Sequence, residues 1–349
     1  MRKIPVGVLG ATGVVGQRFI QLLVDHPWFS LCALAASDRS AGRRYAEACS
    51  WRLPGPLPEA AAELEVWPLE PELDCRLVFS ALPADVAGPV EERFAAAGYA
   101  VCSNTSAHRM DADVPLLIPE VNPDHTVLVE AQRRRRGWSG CIVAAPNCSS
   151  TQVALALKPL HEAFGLQRVS VVTLQAVSGA GYPGLSALDI LDNVIPFIDG
   201  EEDKLEREPA KLLGRLNGDG VVPAAVAVSA QCNRVPVRDG HTACIALSAE
   251  HAPSAAEAAA ALAAFRAAPE VAALPSTPPQ PVEVLADGDR PQPVRDRDRA
   301  QGMTVAVGRL RPCPLLGLKF VVLGHNTIRG AAGGAVHNAE LLAAQGWLS

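Results

Sequence analysis

The chain has 349 residues, enough for two domains and a large core, with 49% apolar and 19% charged residues, a globular composition that excludes general disorder. A net charge of −6 gives no global reason to expect nucleic acid or an anionic membrane surface as a partner. Nine cysteines, an odd number without framework spacing, fit a reduced, cytoplasmic chain; no signal-type apolar region follows the start, and no apolar run is long enough to span a bilayer.

In chain order, Ile4–Leu9 reads as a strand and 14–24 as a helix. Residues 31–36, 77–81, 99–103 and 142–145 read as further strands, with a helix over 86–97. This is the pattern of a mostly parallel sheet with helices on its faces. A helix over 151–157 follows, interrupted or kinked by Pro159. Beyond Pro146 the strand-like segments 168–176, 224–232, 241–248, 282–285, 303–310 and 319–323 lie farther apart, with an Ala-rich helix over 254–267. They suggest an α+β second domain. Residues 200–208, 273–281 and 287–298 read as loops, and the basic run 133–136 as a solvated surface rather than a polyanion site. A last helix near 330–344 is expected to pack back on the first domain. The expected fold class is therefore α/β: a Rossmann-type dinucleotide-binding domain over 1–147, completed by the C-terminal helix 329–349, plus an α+β catalytic and dimerisation domain over 148–328.

Chemistry enters first at Gly7-Val-Leu-Gly10-Ala-Thr12-Gly13-Val14-Val15-Gly16, between the first strand and the first helix. Glycines there permit a tight turn and let backbone N–H groups approach a pyrophosphate at a helix N-terminus. At the end of the second strand, Ser37, Arg39 and Ser40 favour the 2′-phosphate of NADP, while Asp38 suits a ribose or an arginine partner and leaves the choice of NAD or NADP open. The second signal is Ala145-Pro146-Asn147-Cys148-Ser149-Ser150, a strand-to-helix junction. A cysteine at a helix start has its thiolate stabilised by the dipole, and the free N–H groups there are suited to a tetrahedral oxyanion. Cysteine suits acyl transfer coupled to hydride transfer, because its thioester accepts a hydride. His241, joining two strands, offers a proton shuttle, although a His before a strand serves equally well as a structural group.

Taken together these segments resemble aspartate-semialdehyde dehydrogenases, particularly the archaeal and fungal branch. The likeness runs through Gly10 to Gly16, Ser103-Asn104-Thr-Ser-Ala-His-Arg109, Pro119-Glu-Val-Asn-Pro123, Pro146-Asn147-Cys148, Gln175-Ala-Val-Ser178-Gly179-Ala-Gly-Tyr-Pro183, Gly200-Glu201-Glu-Asp-Lys204, Cys232-Asn-Arg234 through His241, and His325-Asn326-Thr327. It implies Cys148 as acyl-accepting nucleophile, His241 as acid–base group and Gln175 as a group orienting the substrate. It further implies Arg234 on the substrate α-carboxylate, Glu201 on its ammonium, and Lys204, Arg109, Asn104 and Asn147 around the phosphate. Asn326, with Ser178 and Gly179 nearby, would meet the nicotinamide end of the cofactor. No metal is assigned. The implied reaction is the reversible NADP-dependent conversion of L-aspartyl-4-phosphate to L-aspartate 4-semialdehyde and inorganic phosphate, by a homodimer or homotetramer. The rival readings are a malonyl-CoA reductase, an N-acetyl-glutamyl-phosphate reductase and a non-catalytic NADP-binding scaffold. One departure from the branch is Ala145, where Asn is expected before Pro146.

Overall fold

A computed structural model describes residues 3–348; Met1, Arg2 and Ser349, which fall in the terminal ranges given above, lie outside the described residues. The first half runs β1 (Ile4–Leu9), α1 (Val14–Leu23), β2 (Phe29–Ala35), β3 (Val66–Trp67), β4 (Leu77–Ser80), α2 (Ala84–Ala96), β5 (Ala100–Ser103), α3 (Leu128–Arg136) and β6 (Cys141–Ala144). Its strands form one parallel sheet in the order β3-β2-β1-β4-β5-β6. Consecutive side chains face opposite sides of that sheet. Val6, Val8, Leu77, Phe79 and Val143 enter one apolar cluster, and Leu9, Val78, Val101 and Ile142 enter the other. Both faces are therefore covered, as a parallel sheet requires.

The crossing between halves is α4 (Cys148–Phe164), which packs on strands of the second sheet. Pro159 does not interrupt it. Residues 153–157 and Leu160 are fully buried, and packing on nearly every side holds the helix across the hydrogen bond that proline removes. Then follow β7 (Leu166–Gln175), α5 (Glu201–Leu212), β8 (Arg215–Asn217), β9 (Gly220–Val222), β10 (Ala227–Arg234), β11 (His241–Ala249), α6 (Ala255–Ala264), β12 (Val282–Leu285), β13 (Val305–Cys313), β14 (Gly317–Gly324) and α7 (Gly333–Ala344). Six of these strands make a mixed sheet in the order β10-β7-β11-β14-β13-β12. On β7, Val169, Val171 and Thr173 point inward, while Arg168, Ser170 and Leu174 stand on an open face. Helix α7 packs back on β5 and α1, and a π-type turn, Ile328–Ala332, leads into it.

Two readings change, one of a loop and one of a solvated surface. Residues 201–208 belong to α5, which continues through Pro209. Its charges are not a solvated face: Glu201, Lys204, Glu208 and Lys211 recur at helical spacing, and of these Glu201, Glu208 and Lys211 are buried. The basic run 133–136 ends α3, where the helix dipole favours cations. Arg136 binds Asp113 at 2.7 Å and Asp111 at 2.9 Å, so this part of the run is a structural tie.

Candidate active site

Cys148 opens α4 directly after β6, so its position is fixed by a strand end and a helix start. Asn147 is the N-cap: its Oδ1 accepts from Ser149 N–H at 2.9 Å and Ser150 N–H at 3.2 Å. Those two donors are engaged by the cap, and Ser149 N–H also favours the Cys148 thiolate. The turn before α7 presses on the nucleophile from the other side. A Cβ at Gly330 would lie 2.7 Å from Cys148 Cβ and 2.8 Å from its Cα.

A cavity of about 560 Å³ opens above Cys148. Its wall includes Asn104, Arg109, Asn147, Gln175, Ser178, Gly179, Glu201, Lys204, Arg234 and Asn326, so the structure gathers nearly all the substrate-side residues read from sequence. Glu201 is the hub. It accepts from Asn147 Nδ2 with both oxygens at 3.0 Å, from Gln175 Nε2 at 3.2 Å and from Lys204 Nζ at 2.9 Å. Burial pushes its carboxyl up, but Lys204 and the two amides outweigh burial and hold it below the usual range. Arg234 donates to Ala176 O at 2.8 Å, which orients its guanidinium. Arg109 donates to Glu208 at 3.0 Å and to Asn104 O at 3.1 Å.

His241 does not line the cavity; it lies fully buried behind Gly179. Its Nδ1 accepts from Ala176 N–H at 3.0 Å, so the neutral ring carries its proton on Nε2. Among the described residues no group accepts that Nε2–H. Burial, then the Arg234 cation, pushes the imidazole down to about 3. The ring is therefore neutral and its Nε2 is a donor. The Cys148 thiol is pushed up to about 12, by burial first and the Glu201 carboxylate second, against the pull of Arg109 and Arg234. The thiolate expected from the helix start alone is outweighed in this pocket by those two effects.

The cofactor side is built of main chain. Gly10 has φ +78°, and a Cβ at Gly16 would lie 2.3 Å from Gly10 O, so only glycines close this turn. No side chain caps α1, which leaves its first N–H groups for an anion. Thr12, Gly13, Val14 and Val15 line a second cavity of about 570 Å³ with Tyr182, and Val14 and Val15 also line the first. A long ligand can run from one into the other, as a dinucleotide does. Asn326 ties together the wall of the first cavity on the side of Ser178: it accepts from Gly240 N–H and donates to Ser178 Oγ, both at 2.8 Å. Ser37, Arg39 and Ser40 line neither cavity; they sit beyond the end of β2, with Ser37 and Arg39 exposed.

Several groups were missed from sequence. Glu208 and Lys211 hold the Arg109 loop, and their signal was the stripe at 201, 204, 208 and 211. Gly330 gave no local signal. Ala145 borders a void of about 10 Å³ with Arg329 and Asn338, whose Nε and Oδ1 atoms lack partners. A void of that size is about one water's worth, so the departure from Asn leaves a small gap bordered by these two polar side chains.

Two family descriptions match this chain: the semialdehyde dehydrogenase NAD binding domain over residues 5–128, and the semialdehyde dehydrogenase dimerisation domain over 157–329. An aspartate-semialdehyde dehydrogenase of Archaeoglobus fulgidus is 52% identical over 338 residues, covering 97% of each chain. That of Methanothermobacter thermautotrophicus is 51% identical over 341 residues, covering 97% of this chain and 98% of its own. The crystal structure of aspartate semialdehyde dehydrogenase with NADP from Candida albicans superposes with a TM-score of 0.91 at 46% identity, covering 99% of both chains.

Proposed function

The chain belongs to the aspartate-semialdehyde dehydrogenase family, and from that membership we propose how its own residues carry the family reaction. The activity is the reversible, NADP-dependent reductive dephosphorylation of L-aspartyl-4-phosphate to L-aspartate 4-semialdehyde. The observation that carries the site assignment is the single cavity in which Cys148 meets Arg234, Arg109 and the Glu201–Lys204 pair, continuous with the glycine-loop cavity.

Arg234 takes the substrate α-carboxylate with the donors that Ala176 leaves free. Glu201 faces the ammonium, and its hold on Gln175 and Asn147 sets the acyl group over Cys148. Lys204, Arg109, Asn104 and Asn147 surround the phosphate. Cys148 Sγ attacks the β-carbonyl carbon, the bond from that carbon to the phosphate oxygen breaks, and a thioester remains, the thiol proton leaving on the departing phosphate as hydrogen phosphate. When bound, the nicotinamide supplies a hydride to the thioester carbon. His241 Nε2–H donates a hydrogen bond to the oxyanion that hydride addition leaves on that carbon; the carbonyl re-forms as the C–S bond breaks, the aldehyde leaves, and the Cys148 thiolate takes a proton from solvent.

We take 1–147 with 329–349 as the dinucleotide-binding domain and 148–328 as the catalytic and dimerisation domain. The exposed Leu188, Leu191, Val194 and Phe197, on a segment that bridges to β10 at Ile195, support a homodimer through the second sheet, and a tetramer by pairing of such dimers. Nine free cysteines support a cytoplasmic location. Among the described residues no helix is long and apolar enough to cross a membrane.

The test is NADPH formation from L-aspartate 4-semialdehyde, with and without inorganic phosphate, for the wild type and Cys148→Ala. Phosphate-dependent turnover is expected in the wild type, and none above background in the variant. Turnover of malonyl-CoA in its place would shift the assignment to that rival, and no turnover of either would favour the scaffold.

A further inference from the structure

Helix α5 carries two buried charges that the mechanism above does not use, Lys211 and Glu208, and the second lies against a cation of the cavity. Glu208 is 1% exposed and lies behind the cavity wall. Its Oε1 accepts from Arg109 Nη1 at 3.0 Å and its Oε2 from Asn147 N–H at 2.7 Å. Arg109 has other ties. Its Nη2 donates to Asn104 O at 3.1 Å, and Lys211 Nζ holds the carbonyls of Arg109, Asp111 and Val114 at 2.8, 2.7 and 2.9 Å. The Arg109 main chain is therefore held by Lys211, and its guanidinium by Asn104 O as well as by Glu208. Among the contacts of that guanidinium, Glu208 is the one that brings a negative charge.

Resting on the reading of Arg109 as a phosphate ligand, we propose that Glu208 is a resident counter-anion that limits how tightly the pocket holds phosphate. Away from water, a carboxylate 3.0 Å from the guanidinium weakens the field that this cation offers to a second anion. The same arrangement recurs one corner away, where Lys204 is paired with Glu201 at 2.9 Å. Both phosphate-side cations thus come with a carboxylate from the same helix. The reaction gives this a purpose. Phosphate leaves after each acyl transfer in the reductive direction and enters as the nucleophile in the other, so a pocket that traps the dianion stalls turnover.

Glu208→Gln keeps the size, and its amide oxygen can still accept from Asn147 N–H, while the charge is gone and its amide nitrogen faces Arg109 Nη1, so the guanidinium is held by Asn104 O and is free to turn its released donor to phosphate. Calorimetric titration of inorganic phosphate into the NADP-bound enzyme is expected to show binding about tenfold tighter, about 1.4 kcal/mol. The KM for phosphate in aldehyde oxidation falls with it, and phosphate inhibits the reductive direction at lower concentration. A merely structural Glu208 would lower Tm and leave phosphate affinity unchanged or weaker, and either outcome overturns the proposal. Arg109→Ala separates the two readings: retention of phosphate binding there removes Arg109 as the ligand, whereas its loss, with no tightening in Glu208→Gln, removes only the counter-anion. Should the Gln variant fail to fold, Glu208→Asp draws the charge back by one methylene and is expected to tighten phosphate about threefold; unchanged affinity there also overturns the proposal.

Discussion

The two ends of the cleft are made of different material. The cofactor end is main chain: a glycine turn with Gly10 at φ +78° and a helix start that no side chain caps. The substrate end is side chain: a chain of amides, carboxylates and cations around Glu201 and Glu208 in which each charge already has a partner. Main-chain donors cannot be switched off and suit a phosphate that any dinucleotide brings. Paired side chains trade one partner for another, which suits a substrate that changes charge during the reaction.

The sharpest way to break this comparison is at Gly330, where the substrate end also depends on bare backbone. A methyl there would lie 2.7 Å from Cys148 Cβ and would move the nucleophile or the turn behind it. Displacements of about 1 Å cost roughly 100-fold in rate. Gly330→Ala is therefore expected to lose about 100-fold in kcat while its NADP affinity, measured by fluorescence titration, stays at the wild-type value. A normal kcat would show that the turn relaxes freely.

Gly16→Ala tests the opposite end. Its Cβ would meet Gly10 O at 2.3 Å, so the loop has to open and lose N–H contacts to the cofactor. One charge-assisted hydrogen bond is worth about 1.5–3 kcal/mol, so the KM for NADP is expected to rise by at least about tenfold. Alkylation of Cys148 by iodoacetamide should not change. Slower alkylation would mean that the two ends are mechanically coupled.

These two glycines also show what was legible in the sequence. Gly16 lies within ten residues of the strand and turn that explain it, so the loop, the parallel sheet and the helix start at Cys148 could all be read locally. Gly330 meets Cys148 only through the folded packing of α7, and no local pattern announces that contact. The α5 stripe was legible in principle, but the dense charge of 200–208 read as a loop because solvation is the usual fate of such residues. β3, two residues long, is too short to carry a periodicity.

A smaller effect sharpens the account of the paired side chains. Glu201 is the second cause, after burial, of the raised Cys148 thiol. Glu201→Gln removes that charge, so the thiol pKa falls and more thiolate is present at any fixed pH below it. The alkylation rate at pH 8 is expected to rise severalfold, with its whole pH profile displaced to lower pH, while turnover drops about tenfold from the lost hydrogen bonds. Alkylation and turnover falling together would instead make Glu201 a support for the thiolate.

The smallest effect is expected where the cofactor end stops being main chain. Arg39 stands exposed beyond β2, outside both cavities, so any bond to the 2′-phosphate forms in water and is screened by salt. A bond of that kind is worth about 1 kcal/mol, against several for the buried pairs at the other end. Arg39→Ala is therefore expected to raise the KM for NADP only about fivefold, to leave that for NAD unchanged, and to lose most of its effect above roughly 0.5 M salt, where the Debye length is only a few ångströms. Equal losses for NADP and NAD would place Arg39 on the shared part of the cofactor, and specificity for the 2′-phosphate would then rest with Ser37 and Ser40, whose neutral hydroxyls bind it with little dependence on salt.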